Sequence, residues 1–403
     1  MNTKFNFHML CLLLLIRGNL MAQSFNNYTT LNGLPDNNVN GVAVDHNNVK
    51  WFGTQSGVAR FDGSDWEVYT LANGLIDNYI NCIAVDKYDH IWVGTDIGLS
   101  TFNGTQWTSL TTANGLINNT ISYIAAGEDG NVWIGTNAGL SKYDGAAFTN
   151  YNAASGLPSE MISYIAIDGS NNAWIGTWIG GLIKFDGTTF TTFTTANGLP
   201  DNNITAIAID NSGNKYVGTY YGIAKLNNSN AWVTTYTSAN GMLNNYVKDL
   251  ALNSSQELWA GIYADYLQEG GIDWFHLSTW TTYDVGDGLV NAMVKRLVTD
   301  QNDHVWIATG NGVSEFIPGS DGQTENAGFQ GSIYPNPAKD FISISGISVG
   351  SEMSIIDSKG TRLSTQKTGT NPGNINISNI LPGMYFLQVK DENSTYMSKI
   401  IIR

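Results

Sequence analysis

Ten residues in this sequence have types and placements suited to holding a ligand: Trp178, Tyr220, Tyr221, Tyr263 and Tyr266, then Lys248, Lys295 and Arg296, then Tyr164 and Asp249. Flat aromatic faces stack on the apolar faces of sugar rings, and polar or cationic neighbours take the hydroxyls or a carboxylate. The same aromatics also read as packing between neighbouring sheets, and the cations as solvated or paired with Asp249. Asp96, Glu160, Asp201, Asp249 and Asp265 are raw material for an acid/base pair, although no spacing selects two of them. His46, His90, His276 and His304 fall in a different set of turns, away from the aromatics, so a His-dependent lyase or esterase has little support. The Asp-rich stretches Asp86-Lys87-Tyr88-Asp89 and Asp300-Gln301-Asn302-Asp303 read as turns whose side chains bond their own backbone, not as metal loops. No pattern calls for a cofactor. Cys82 is the only cysteine beyond residue 22 and reads as a small buried hydrophobe; no disulfide framework is possible within one chain.

These residues are positioned by a repeat. One motif recurs as Asn32-Gly33-Leu34, Asn73-Gly74-Leu75, Asn114-Gly115-Leu116, Ser155-Gly156-Leu157, Asn197-Gly198-Leu199, Asn240-Gly241-Met242 and Asp287-Gly288-Leu289. A second starts at Trp51, Trp92, Trp133, Trp174, Tyr216, Trp259 and Trp306, most clearly as Trp51-Phe52-Gly53-Thr54 and Trp133-Ile134-Gly135-Thr136. Successive aromatics of this series stand 41, 41, 41, 42, 43 and 47 residues apart. Each copy divides into four short apolar runs, and Asp62-Gly63, Asn103-Gly104, Asp144-Gly145 and Asp186-Gly187 mark tight hairpins between the last two. Four antiparallel strands at a period in the low forties predict a β-propeller of seven blades. The seventh copy ends after its third strand, at Gly312-Val313-Ser314-Glu315-Phe316. The missing strand is predicted in Phe25-Asn26-Asn27-Tyr28-Thr29-Thr30, which would pair there, close the ring and remove two sheet edges. On this frame the ligand candidates lie at the start of the innermost strand or in the turn between the second and third, all on one face of the ring.

The ends and the composition set the context. With 34 acidic against 19 basic residues the net charge is −15, which argues against nucleic acid and against an anionic membrane surface. Lys4, the apolar run Met9–Ile16 and Leu20-Met21-Ala22 read as a signal peptide over residues 1–22. No later stretch is apolar enough to span a membrane as a helix. The propeller is expected over 23–316, a polar linker over 317–331 and a second β-domain, an immunoglobulin-like sandwich, over 332–403.

Two resemblances accompany this reading. The Asn-Gly-Leu and Trp-hydrophobic-Gly-Thr series over residues 25 to 316 resembles the two-component regulator propeller repeats, sensor modules whose ligands are often glycan fragments. No membrane helix or kinase follows the repeats here, so the resemblance implies the fold and not a signalling role. Tyr334-Pro335-Asn336-Pro337, Asp357-Ser358-Lys359-Gly360, Leu381-Pro382-Gly383-Met384-Tyr385 and Lys399-Ile400-Ile401 resemble the type IX secretion C-terminal sorting domain. That resemblance implies secretion machinery as a partner of 332–403 and a destination outside, or on the outer surface of, a Gram-negative cell. The alternative is an independent binding module. The whole is expected to be a monomeric glycan-binding propeller; the alternatives are a carboxylate-dependent polysaccharide-degrading enzyme and an extracellular scaffold or adhesin.

Overall fold

The computed structural model describes residues 23–263, 269–276, 278–318, 333–334, 338–356, 362–369, 373–381, 383–390 and 395–402. The expected signal peptide, most of the expected linker, Asp265 and Tyr266 lie outside these residues.

Ser24–Pro318 forms one compact unit built of seven four-stranded sheets. In blade 1 the strands, A to D from the channel outward, are Val39–Val44, Lys50–Thr54, Gly57–Phe61 and Trp66–Tyr69. Strand A of each blade lies beside strand A of the next, and that of blade 7 beside that of blade 1, so the ring is closed. Blade 7 consists of Val294–Thr299, Val305–Thr309 and Gly312–Ile317, with Ser24–Tyr28 as its outermost strand. The predicted closure is therefore present, in antiparallel register from Ser24 opposite Ile317 to Tyr28 opposite Val313.

Both repeated motifs have a mechanical reason. After strand D of blades 1 to 6 the chain makes one turn of 3-10 helix; in the first, the Asn73 side chain accepts from the Thr70 N–H at 2.9 Å and Gly74 takes the left-handed φ of 104° that other residues avoid. Leu75 then turns inward and is buried, as are Leu34, Leu116, Leu157, Leu199, Met242 and Leu289 in the other copies. In the Trp-x-Gly-Thr motif the glycine makes room for the next blade. A Cβ on Gly53, Gly135 or Gly176 would stand 2.6, 2.6 or 2.7 Å from Ile80, Ile162 or Ile204. The threonine hydroxyl closes the following turn, donating to the carbonyls of Gly57, Gly98, Gly139 and Gly181 at 2.8 Å. Asp45, Asp86, Asp168 and Asp300 each accept a hydrogen bond from the indole N–H of their own blade's tryptophan. Asp86 and Asp300 also accept from backbone N–H groups of their own turns, Tyr88 and His90 in one and Asn302 and His304 in the other, which is the role predicted for them.

One blade departs from this economy. Ser100, Ser141 and Ser314 hold equivalent places on strand C of blades 2, 3 and 7, each accepting from a backbone N–H of the preceding link. In blade 6 that place is held by Asp273, which is fully buried and accepts from Leu243 N–H and the Thr282 hydroxyl. Burial raises its carboxyl to about 6, against the pull of these two bonds. A carboxyl raised on folding favours the native state when protonated, so this site costs stability as pH rises from about 4 through 6. Asp273→Ser should therefore raise the melting temperature at pH 7.5 by the equivalent of about 1–3 kcal/mol and leave it nearly unchanged at pH 4. Equal shifts at both pH values would refute the charge explanation.

The C-terminal residues form two further sheets. One contains Ile333–Tyr334, Phe341–Ile344 and Gly373–Asn376; the other contains Glu352–Ile356, Arg362–Lys367, Gly383–Lys390 and Thr395–Ile402. Ile342, Ile344 and Ile375 of the first share a single core with Met353, Ile355, Leu387 and Ile400 of the second, as two sheets packed face to face require.

Candidate functional site

The site is built on a recurring irregularity. In six blades the pairing of strands A and B slips by one residue near the start of strand A, leaving Asn40, Ser122, Ser163, Thr205, Lys248 and Lys295 as extra residues. A bulge re-aims its side chain, and here most of these side chains reach the next blade. Asn40 donates to Ile80 O (2.8 Å), Ser163 to Ile204 O (2.5 Å) and Thr205 to Val247 O (2.6 Å). Asn81, at the same place in blade 2, donates to Ile121 O at 3.1 Å. Lys295 reaches back to the side chains of Asn38 and Asn40 in blade 1. The result is a polar girdle around one mouth of the channel, tying blade to blade. Ser122 Oγ of blade 3, buried without a partner among the described residues, and Lys248 of blade 6 are the gaps in it.

Inside the girdle lies a cavity of about 360 Å³ lined by Asn40, Tyr79, Asn81, Lys248, Tyr263, Met293, Lys295 and Arg296. Burial lowers the Lys248 ammonium to about 8; Arg296 and Lys295 push the same way and Asp249 opposes them. Burial also lowers Lys295, with Asp36 acting against it.

Deeper in the channel a second cavity, of about 290 Å³, is lined among others by Cys82, Tyr123, Tyr164, Asp249 and Arg296. The Arg296 guanidinium lies over the rings of Tyr123 and Tyr164, 5.3 and 5.7 Å from their centroids, and donates to Lys295 O at 3.1 Å. Asp249 accepts from the Tyr164 hydroxyl at 3.0 Å and from Leu297 N–H at 2.8 Å. Burial raises its carboxyl, while Arg296 and these two bonds draw it back. Arg296 is common to both cavities and so forms the floor of the outer one. Burial pushes the Cys82 thiol up to about 12, so Cys82 is uncharged at neutral pH.

Of the residues proposed from sequence, Lys248, Lys295, Arg296 and Tyr263 meet around the outer cavity, and Tyr164 and Asp249 lie beneath its floor. Tyr220 belongs to a ladder of rings: its centroid is 4.4 Å from that of Tyr246, which is 4.7 Å from that of Tyr263. Trp178 and Tyr221 are solvent-exposed, 38% and 63%, and among the described residues no ring contact joins them to the ladder. Tyr246, Tyr123, Tyr79, Asn40 and Asn81 were missed as site residues. Tyr123 had a signal in its alignment with Tyr164 at the start of strand A; Tyr246 had none, because it is the residue just before its strand. Of the proposed carboxylates, Asp249 lies in the channel and Asp265 outside the described residues, while the other three serve local hydrogen bonds. Asp96 accepts from Asn81, Glu160 from Ala153 N–H, and Asp201 from Asn202 N–H and Asn203. The four histidines pair with acidic groups: His46 with Asp89, His90 with Asp86, His276 with Glu257 and His304 with Glu315.

Residues 74–96 and 115–138 match the two component regulator propeller, and residues 332–403 match the secretion system C-terminal sorting domain. The chain joins regulator propeller repeats to a secretion sorting domain. The sorting domain implies export, either by secretion or to the outer cell surface. Among the described residues no helix is long and apolar enough to cross a membrane. The extracellular domain of a candidate hybrid two component system from B. thetaiotaomicron has a similar structure, with a TM-score of 0.65 at 18% identity over 94% of this chain and 57% of that one. PorZ, an essential surface component of the type-IX secretion system of Porphyromonas gingivalis, gives 0.60 at 17% identity over 91% of this chain and 60% of that one. A virginiamycin B lyase from Staphylococcus aureus gives 0.60 at 13% identity over 73% of this chain and 99% of that one. At these identities the likeness concerns the fold alone, and the sorting-domain chain spans less than two thirds of the length of the first two. No curated protein matches it.

Proposed function

We propose that this exported propeller binds glycan at the girdled mouth of its channel. The observation that carries the reading is the ladder Tyr220–Tyr246–Tyr263, which runs into a cavity whose other walls are the amides of Asn40 and Asn81, the ring of Tyr79 and two lysines. Rings that offer a face beside amides and ammonium groups match the two-sided chemistry of a pyranose, apolar on one face and hydroxylated at its edge. Trp178 and Tyr221, exposed on the equivalent turns of blades 4 and 5, would extend the contact for a longer chain; Tyr266, three residues after Tyr263 in sequence, remains a further candidate. Residues 1–22 would serve as the export leader and 317–331 as the tether to the sorting domain, the mature protein acting as a monomer.

The test is titration of the full chain against a panel of neutral and acidic oligosaccharides, repeated with Tyr263→Ala and with Trp178→Ala/Tyr221→Ala. Tyr263→Ala should weaken binding about tenfold, the equivalent of one lost stacking contact, with the near-ultraviolet spectrum unchanged. The double variant should weaken long oligosaccharides and spare short ones. Binding that is indifferent to Tyr263→Ala would remove the site.

A further inference from the structure

Resting on the glycan reading, we infer that the ligand carries an anionic group, a carboxylate or a sulfate on an acidic sugar, and delivers it to Lys248 above Arg296.

The argument begins with the girdle. At the bulge position, blades 1, 4 and 5 use a neutral side chain to hold the next blade's carbonyl, as Asn81 does in blade 2, and Lys295 of blade 7 is held by Asn38 and Asn40. Blade 6 places Lys248 at that same bulge, yet Lys248 takes no part in the girdle and its side chain lines the cavity instead. A long cation is a poor choice for stitching two blades: it loses more rotamer freedom than serine or asparagine on being ordered, and at this point it stands among like charges. Among the described residues the charged and titratable groups around it are Arg296, Lys295 and Asp249, with the phenols of Tyr79 and Tyr263 on the cavity wall. Three cations therefore converge on one small cavity in a chain whose overall charge is −15.

Among the described residues, the nearby carboxylates offset these cations from behind, and none of them lines the cavity. Asp249 lies beneath Arg296, already accepting from Tyr164 and Leu297. Asp36 is occupied by the Asn38 N–H and the Ser56 hydroxyl, and Asp96 accepts from Asn81. Arg296 is held as a floor by the two tyrosine rings below it and Lys295 by two asparagines, which leaves Lys248, among the described residues, as the cation of the three with neither restraint and with its side chain on the cavity. An anionic partner would relieve its electrostatic disadvantage, and the attraction is strengthened by the reduced dielectric of a partly enclosed site.

The experiment compares uronic-acid oligosaccharides with their carboxyl-reduced counterparts, and sulfated oligosaccharides with desulfated ones, against the full chain by calorimetry at low salt. The acidic form of one pair should bind at least tenfold tighter than its neutral twin, and which pair does so separates carboxylate from sulfate. Lys248→Met should bring the acidic form down to the affinity of its neutral twin, and Lys248→Arg should keep the difference. Because the Lys248 ammonium titrates near 8, the preference should also fall between pH 7 and 9 in the native chain and persist in Lys248→Arg. If neutral and acidic twins bind equally well, or if Lys248→Met leaves the preference intact, this inference falls and the glycan reading stands. If no saccharide of either kind binds, both fall together.

Discussion

A chain without Ser24–Tyr28 should lose its single cooperative unfolding transition. This strand supplies much of what holds the first and last blades together. Phe25 packs on Phe316 with ring centroids 4.9 Å apart, and Tyr28 stacks on Trp306 at 5.6 Å while also meeting Phe61 and Trp66 of blade 1. Glu315 gathers hydrogen bonds from Asn26 and the Tyr28 hydroxyl, both at 3.0 Å, and from His304. Asn27 ties the strand to Gly288 O and to Ser314. Removing these contacts exposes Phe316 and Trp306, now nearly inaccessible, and leaves an open sheet edge. The loss is on the order of 5–10 kcal/mol, comparable with the total stability of an ordinary domain. Calorimetry should find a broad or absent transition and a tendency to aggregate. A sharp transition at the native temperature would show that the ring holds without its closing strand.

The second large effect is expected at the seam between blades 1 and 7. Lys50 and Asp300 form an ion pair at 2.9 Å with both side chains almost wholly out of solvent, 7% and 1% exposed. The ammonium also lies over the Trp306 ring, 5.1 Å from its centroid, and donates to Asn48 O. Asp300 accepts in addition from the Trp306 indole and from the N–H groups of Asn302 and His304. Asp300→Ala strands a buried ammonium and should cost about 3–5 kcal/mol, or roughly 10 °C of melting temperature. Lys50→Met/Asp300→Asn, which removes both charges, should recover most of it. Burial opposes ionisation of Asp300, but the bonds from Lys50 and Trp306 outweigh it and hold its carboxyl below the ordinary range. A carboxyl lowered on folding stabilises the native state above about pH 4 and loses that contribution as pH falls through its folded value. The native chain should therefore lose this stability progressively below pH 4, and the double variant should not. If Asp300→Ala melts like the native chain, the pair is not holding the seam.

The blades themselves were legible because the repeat is exact in the places that matter sterically. Gly53, Gly135 and Gly176 recur because the next blade's isoleucine occupies the space of their absent side chains. The Asn-Gly-Leu links recur because each must cap one helical turn and bury one apolar residue. Even the closing strand was readable, since a missing element at one end matched a surplus one at the other. The site was legible only in part. Lys248, Lys295, Arg296 and Tyr263 stood out as departures from the pattern at aligned positions, and they line one cavity. Tyr246 and the girdle did not. The bonds from Asn40 to Ile80 and from Thr205 to Val247 join residues 40 and 42 apart in sequence, and they exist only because a bulge turns the side chain aside. Nothing in strand periodicity announces such a bulge, and an aromatic just ahead of a strand looks like any other link residue.

The pairing of Ser24 with Ile317 also fixes when this molecule can finish folding. The first residues of the unit have no neighbour of their own until nearly the last ones exist, so a growing or half-delivered chain can stack blades but cannot complete its circle. Contacts of such separation are made late and slowly. Until those last residues have been made the polypeptide is an open arc with two raw ends, and the native state arrives only when they clasp.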